Sequence, residues 1–234
     1  MKNLILIGAS GIALEIIDSV DAINAIELCW NIIGILDDDP DRTGESFYRG
    51  VEIVGTSQDI ERYIETDTFF LIAFCSVPNF MLRPEYVKQL TRKYPDIRFA
   101  TIIHPLACIS PSASIGSGVF LAPHIVVDAN ACVGDHCLAL FGSVISRWVK
   151  IGDFVFISAG VNVMGSVQVG ECSFLGVRTT IISDIGDHVL VNAGALVSRQ
   201  VASHAIVQAP SSGEVTYFKS TEKLQRLLGS LCHH

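Results

Sequence analysis

The sequence predicts an α/β N-terminal domain built on a small Rossmann-like parallel sheet, then an all-β parallel β-helix, and last a C-terminal helix. Three observations carry this prediction. Charge is unevenly spread, with 9 Lys/Arg and 16 Asp/Glu in residues 1–100 but only 4 and 6 in residues 101–210. The first hundred residues alternate short apolar runs with helical spacings. The next hundred repeat every six residues. The expected boundaries are 1–103, 104–212 and 213–234.

In the first part Asn3–Ile7 reads as a strand, Ala13–Ile23 as a helix, Ile32–Leu36 as a strand and Ser57–Ile64 as a capped helix. Phe69–Phe74 follows as a buried strand, Pro84–Lys93 as a helix and Arg98–Ile103 as the last strand. That order is the βαβ pattern of a parallel sheet, whose ligands sit at the carboxyl ends of the strands. Those ends carry Gly8-Ala9-Ser10-Gly11, Asp37-Asp38-Asp39-Pro40 and Cys75-Ser76-Val77-Pro78-Asn79. The G-x-G-x-x-G fingerprint would need glycine at 8, 10 and 13, where the chain has Gly8, Ser10 and Ala13. Asp37 lies 29 positions past Gly8, too far for the ribose-binding acid of a dinucleotide fold, so NAD binding is set aside. Two readings of the loop stay open: free amides at a helix N-terminus that receive a phosphate-bearing ligand, or simply a tight strand-to-helix turn.

Stepping by six from Ile109 gives thirteen apolar residues without a miss, ending at Ile181. The position four later is small or β-branched throughout, from Ala113 to Thr179. Gly116, Gly134, Gly152 and Gly170 recur at eighteen, so three hexads make one coil. Such hexads are the signature of a parallel β-helix, whose coils bury their apolar residues only by stacking. From Ile109 to about Ser198 there is room for roughly five coils. The step fails after Ile181, and a two-residue deletion at Ser183-Asp184 restores it at Ile185, Val191 and Val197. The tail, 213–234, returns to helical spacing with Tyr217, Leu224, Leu227, Leu228 and Leu231 and is expected to pack as a helix.

Composition excludes several classes. A net charge of −8 without Lys/Arg clusters argues against nucleic acid as a partner. Charged residues make up 17% of the chain, but no window offers the roughly 20 apolar residues of a membrane span. The longest uncharged run, Phe99–Val127, is broken by Pro105, Pro111, Gly116, Gly118 and Pro123. The opening Leu4–Ile7 run is interrupted by Gly8, Gly11, Glu15 and Asp18 with no cleavage site after it, so the chain reads as cytosolic. Seven cysteines form no C-x-x-C pair and read as reduced, buried thiols. No metal site is expected.

The hexads, joined to a βαβ domain opening Ile5-Leu6-Ile7-Gly8-Ala9-Ser10-Gly11, with Gly34-Ile35-Leu36-Asp37-Asp38-Asp39 after the second strand and Ile103-His104-Pro105 at the join, resemble one family over roughly residues 2–208. It is the hexapeptide-repeat sugar acyltransferases, comprising sialic acid O-acetyltransferases and bacterial nucleotide-amino-sugar N-acetyltransferases. The resemblance implies a left-handed β-helix, an exception to the right-handed crossover rule. It also implies a homotrimer with acetyl-CoA as co-substrate in the groove between neighbouring prisms. The acetyl-CoA would lie against Phe156, Gly165 and Val177. A sugar or nucleotide sugar would lie against the N-terminal sheet, with its base near Asp37 and Asp38 and its phosphates near Gly8, Ser10 and Gly11.

The chemistry so implied is acyl transfer, in which a sugar amine or hydroxyl loses a proton to a histidine as it attacks the thioester. The family segment Gly-x-x-x-(Asp/Glu)-His-(Asp/Glu) is matched by Gly142-Ser143-Val144-Ile145-Ser146-Arg147-Trp148. Arg147 thus occupies the position of the base, Trp148 that of the orienting acid, and Phe156 that of a second histidine at the thioester. A guanidinium carries no proton-accepting form at neutral pH. Arg147 reads either as a corner residue in an intersubunit salt bridge or as a group that binds an anion. His124, at a hexad corner, is the substitute base that the sequence offers. The leading expectation is an acyl-CoA-dependent, mainly acetyl, transferase of a sugar or nucleotide sugar in bacterial glycan synthesis. The rival is a non-catalytic trimeric paralogue serving as a binding or regulatory module.

Overall fold

The structure, a computed structural model, describes residues 1–64, 67–77, 79–209 and 215–217. The N-terminal sheet has six strands: β1 (Lys2–Ile7), β2 (Trp30–Leu36), β3 (Ser46–Tyr48), β4 (Val51–Gly55), β5 (Thr68–Ile72) and β6 (Arg98–Phe99), in the order β3-β4-β2-β1-β5-β6. Every pairing is parallel except the β3–β4 hairpin. Sequence reasoning missed that hairpin. Its signal was Arg49-Gly50, whose φ angles of 49° and 79° supply the doubly left-handed turn that a tight hairpin needs.

Helix α1 (Gly11–Asn24) starts where the Ser10 hydroxyl accepts from the Ile12 amide, and it buries Ile12, Ala13, Ile16, Ile17 and Val20 along one face. The expected capped helix at 57–64 is a 3-10 turn (Ser57–Asp59) inside a Thr56/Asp59 capping box, followed by α2 (Glu61–Ile64). Helix α3 (Arg83–Lys93) has Pro84 in its first turn. Two cores lie on the sheet's two faces. One, around Ile5, Phe70, Ile72, Val87 and Leu90, closes under α3. The other, around Leu4, Leu6, Ile16 and Leu71, runs without a break into the β-helix.

The expected last strand, 98–103, is divided between the domains. Arg98–Phe99 joins the N-terminal sheet, while Ile102–Ile103 pairs with Phe120–Leu121 as the first rung of the prism. The apolar step therefore begins at Ile103, one hexad before Ile109. The prism has three faces. The first carries the rungs beginning at Ile102, Phe120, Leu138, Phe156, Phe174, Leu190 and Ala205. The second carries six rungs, from Cys108–Ile109 to Leu196–Val197, and the third runs from Ser114–Ile115 to Gln168–Val169. Six coils result instead of five.

The predicted deletion is real: Phe174 pairs with Leu190 and Thr180 with Leu196, a spacing of sixteen in place of eighteen. A second deletion, which sequence reasoning missed, follows Val197, so that Ile185 pairs with Val201 at the same spacing of sixteen. The ladder ends differently from expectation. Val215–Tyr217, placed in a C-terminal helix by its periodicity, forms an antiparallel strand against Ala205–Val207. The rest of the expected helix, from 218 to 234, lies outside the described residues. Among the described residues no helix is long and apolar enough to cross a membrane.

Packing explains the repeat residues. At Gly134 a β-carbon would lie 2.7 Å from the backbone of Gly152 and 2.8 Å from the Asp153 amide in the next coil. The aspartates after Gly134 and Gly152 serve the coil beneath: Asp135 Oδ1 accepts from the Ser117 amide at 2.7 Å, and Asp153 Oδ1 from the Asp135 amide at 2.8 Å. One corner is a column of left-handed residues, Gly118, His136, Phe154, Cys172, His188 and His204. In it the His136 ring stacks on Phe154 at 4.9 Å and meets the edge of Phe99 at 4.6 Å. Among the described residues the six cysteines are free, but Cys108 and Cys132 stand exposed on the outer faces, contrary to the expectation of buried thiols.

Two outcomes follow from this packing. Gly134→Ala should destabilise the fold by about 1–3 kcal/mol through backbone overlap, whereas Gly142→Asn, at a left-handed corner with open space around it, should be almost neutral in urea unfolding. Burial and the neighbouring Arg83 pull the His136 pKa down to about 4. The unfolded chain then binds a proton that the folded chain refuses. Stability should fall by about 3 kcal/mol as pH drops from 6.5 toward 4. His188 and His104 are lowered by burial and act in the same direction. His136→Asn, which tolerates the corner geometry, should remove most of that slope in pH-dependent unfolding.

Candidate functional site

A cavity of about 310 Å³ opens at the carboxyl ends of β1, β2 and β5. Gly8, Ser10, Asp37 and Asp38, all singled out from the sequence, line it together with Phe74, Asn79, Leu82 and Tyr86. Gly11, the remaining predicted residue, is the first residue of α1 and does not line the cavity. Gly8 is required where it stands: its φ is +101°, and a β-carbon there would lie 2.9 Å from two carbons of Phe74. The aromatic and leucine wall was not legible in the sequence as a site. Asn79 lay in the third flagged loop, Tyr86 read only as part of the helix at 84–93, and Leu82 fell in no predicted element.

The loop amides are partly spoken for. The Ala9 amide donates to Asp37 Oδ2 at 2.7 Å, the Ile12 amide to the Ser10 hydroxyl and the Ala13 amide to the Ser10 carbonyl. The Ser10 hydroxyl itself donates to the Ala73 carbonyl at 2.5 Å, tying the turn to the end of β5. Among the described residues the Ser10 amide has no protein acceptor.

The two predicted acids also differ. Asp37 Oδ2 holds Ala9 and lies 3.5 Å from Arg42, while its Oδ1 accepts from the Asp39 amide. It is a scaffold of the loop. Asp38 accepts through one oxygen only, from the Ser57 amide at 2.9 Å, and its other oxygen has no hydrogen-bond partner among the described residues. Burial, reinforced by the Asp38 carboxylate, pushes the Tyr86 phenol well above its ordinary range, so it stays a neutral donor.

The prism residues do not converge within one chain. Arg147 and Trp148 form an exposed corner between the second and third faces, with the guanidinium 5.8 Å from the Trp148 ring centre and Trp148 at φ 59°. Gly165 lies against them, since a β-carbon there would touch the Arg147 carbonyl oxygen at 3.4 Å. Arg147 has no carboxylate partner among the described residues. Val177 and His124 are exposed at the opposite edge of the second face. Phe156 sits on the first face, 5% exposed and stacked on Phe174 at 4.7 Å, beneath the N-terminal domain. It therefore borders no open groove in the single chain. Among the described residues no group of three or more His, Cys, Asp or Glu could hold a metal ion.

Because Asp37 carries three contacts and Asp38 one, Asp37→Asn should lower stability by about 1–3 kcal/mol. Asp38→Asn should leave urea unfolding nearly unchanged.

Known proteins resemble the chain in parts and in fold. Residues 3–90 match the PglD N-terminal domain. GDP-perosamine N-acetyltransferase from Caulobacter crescentus, solved with CoA and GDP-perosamine, superposes with a TM-score of 0.81 at 24% identity, over 93% of this chain and 98% of that one. The acetyltransferase domain of PglB from Neisseria gonorrhoeae superposes with a TM-score of 0.78 at 22% identity, over 92% and 100%. The carboxysome assembly protein CcmN from Synechocystis is 35% identical over 127 residues, 51% of this chain and 48% of its own. The chain spans about half or less of the length of the curated relatives it matches. Residues 3–90 thus resemble the PglD N-terminal domain, and the chain as a whole shares the fold of these two acetyltransferase structures.

Proposed function

We propose that this protein is an acyl-CoA-dependent transferase, acetyl-CoA being the donor, that acts in the cytoplasm on an amino or hydroxyl group of a sugar or nucleotide sugar in bacterial glycan synthesis. The observation that carries the reading is the union of the cavity at the strand ends with the prism, in an arrangement shared along nearly the whole chain with an N-acetyltransferase solved with both CoA and a nucleotide sugar. Asp38 and Tyr86 would meet the base, and the Gly8–Gly11 turn the phosphates. Three chains would pack prism to prism. The second face supports this, since Phe141, Trp148, Val177 and Leu196 each leave about half of their surface exposed on it or along its edges. Such packing would bring Arg147 and Gly165 of one chain toward Val177 and His124 of the next, leaving acetyl-CoA in the groove.

Arg147 cannot take the acceptor's proton, so the transfer would depend on another base, with His124 as the candidate, or would run slowly. That same substitution favours the second reading, a non-catalytic trimeric paralogue that binds or regulates. The similarity to a carboxysome assembly protein over half of the chain supports it too.

Melting with acetyl-CoA separates the two readings. At 100 times its dissociation constant a ligand adds about 2.7 kcal/mol, a rise of roughly 5–10 °C for a chain of this size. The rise is expected with acetyl-CoA and not with adenosine. Arg147→His with Trp148→Asp should then increase the release of free CoA with GDP- or UDP-amino sugars. No shift and no gain in rate would leave the binding module as the function.

A further inference from the structure

The segment that walls the cavity is also the one that locks the N-terminal domain onto the prism. Between residues 79 and 86 its side chains divide at helical spacing. Asn79, Leu82 and Tyr86 line the cavity. Phe80 and Arg83 enter the prism: the Phe80 ring lies 5.6 Å from Phe174, its carbonyl accepts from Cys172 Sγ, and Arg83 reaches the left-handed corner. There Arg83 Nη2 donates to the His136 carbonyl and Nη1 to the Phe154 carbonyl at 3.4 Å, so that one guanidinium spans two successive coils.

Arg83 is 0% exposed, and no carboxylate pairs with it among the described residues. Its Nε has no partner. A buried cation compensated by two carbonyl dipoles and the neutral Cys75 thiol is a poor way to stabilise a seam, and an apolar side chain of the same length does better as a rule. What the guanidinium supplies instead is a rigid planar fork with fixed directions. A fork clasping two coils sets both the height and the rotation of the cavity relative to the prism.

We propose that Arg83 is a positioning residue, which holds the cavity in register with the prism so that an acceptor bound in one faces a donor bound on the other. The contact chain is continuous. Tyr86 and Leu82 border the cavity, Phe80 and Arg83 lie on the same helical turn, and Phe174 joins Phe80 to Phe156. The proposal rests on the nucleotide-sugar reading of the cavity. A ligand that fixes Asn79, Leu82 and Tyr86 would thereby also fix the corners at His136 and Phe154.

Amide hydrogen exchange tests this in the full chain, with GDP and UDP as probes and residues 190–197 as an internal control. In the wild type, bound nucleotide should slow exchange at 135–137 and 153–155 several-fold and leave the control unchanged. Arg83→Met should bind the nucleotide with unchanged affinity and melt at or above the wild-type temperature, yet lose that slowing. Arg83→Lys, which keeps the charge without the fork, should lose most of it and serves as the second variant if the first does not fold. With an acceptor in hand, Arg83→Met should lower kcat by up to about 100-fold and leave KM for acetyl-CoA unaltered. If Arg83→Met transmits the slowing as the wild type does, or if bound nucleotide never reaches the wild-type corners, Arg83 is only filling space and the proposal is overturned. If neither GDP nor UDP binds the wild type, the nucleotide reading itself has failed and takes the proposal with it.

Discussion

The rungs of the prism are two or three residues long and, like any strand, cannot satisfy their own backbone, so their amides and carbonyls must be met by the coil above or below. Most of the unusual residues in the second half follow from that requirement. Coils can approach to hydrogen-bonding distance only where side chains yield, hence glycine at 116, 134, 152 and 170, each pressed against the next coil's backbone. Acids answer the corner amides that the rungs leave behind. Even the polar interior positions obey it. Ser143 and Ser173 are buried, and each gives its hydroxyl to a carbonyl of the next coil while accepting an amide from it.

The same demand makes the N-terminal domain more than an appendage. The first face of the prism is apolar on its outer side as well, with Phe120, Leu138, Phe156, Phe174 and Leu190 all buried. A sheet that is apolar on both sides must be covered, and the core beneath α1 does so continuously. Polar contacts cross the seam at only a few points, and Arg83 provides the most deeply buried of them. The cavity and the prism are therefore joined by one continuous core, although their sequences follow different rules.

How much of this was legible in the sequence depended on how far apart the cooperating residues lie. The six-residue step is local, and it revealed the prism, the coil length and the first deletion. The second deletion escaped because only two six-residue steps, from Ile185 to Val197, separate it from the first, too few to show a phase change. Ile103 was assigned to the wrong domain because an apolar residue after a strand-like run looks the same whether it closes a sheet or opens a prism. In the cavity, Gly8, Ser10, Asp37 and Asp38 were visible because strand ends are recognisable. Their division of labour was not, since Asp37 meets Ala9 across 28 positions and Ser57 reaches back to Asp38 across 19. Arg83 gave no signal at all. An arginine at the start of a helix looks like a solvated residue until its partners, 53 and 71 positions away, are known.

The reversed strand at 215–217 has a further consequence for the molecule as a particle. A stack of identical parallel rungs has no intrinsic end, and its last rung would offer a template to any chain of the same kind. Pairing Ala205–Val207 with a strand of opposite direction changes that template, because the next coil of another molecule would have to continue in parallel. The two coils before it are also shorter, sixteen residues in place of eighteen, so the two ends of the stack are not equivalent. Together these features give the described stack two unlike ends, one parallel and one reversed.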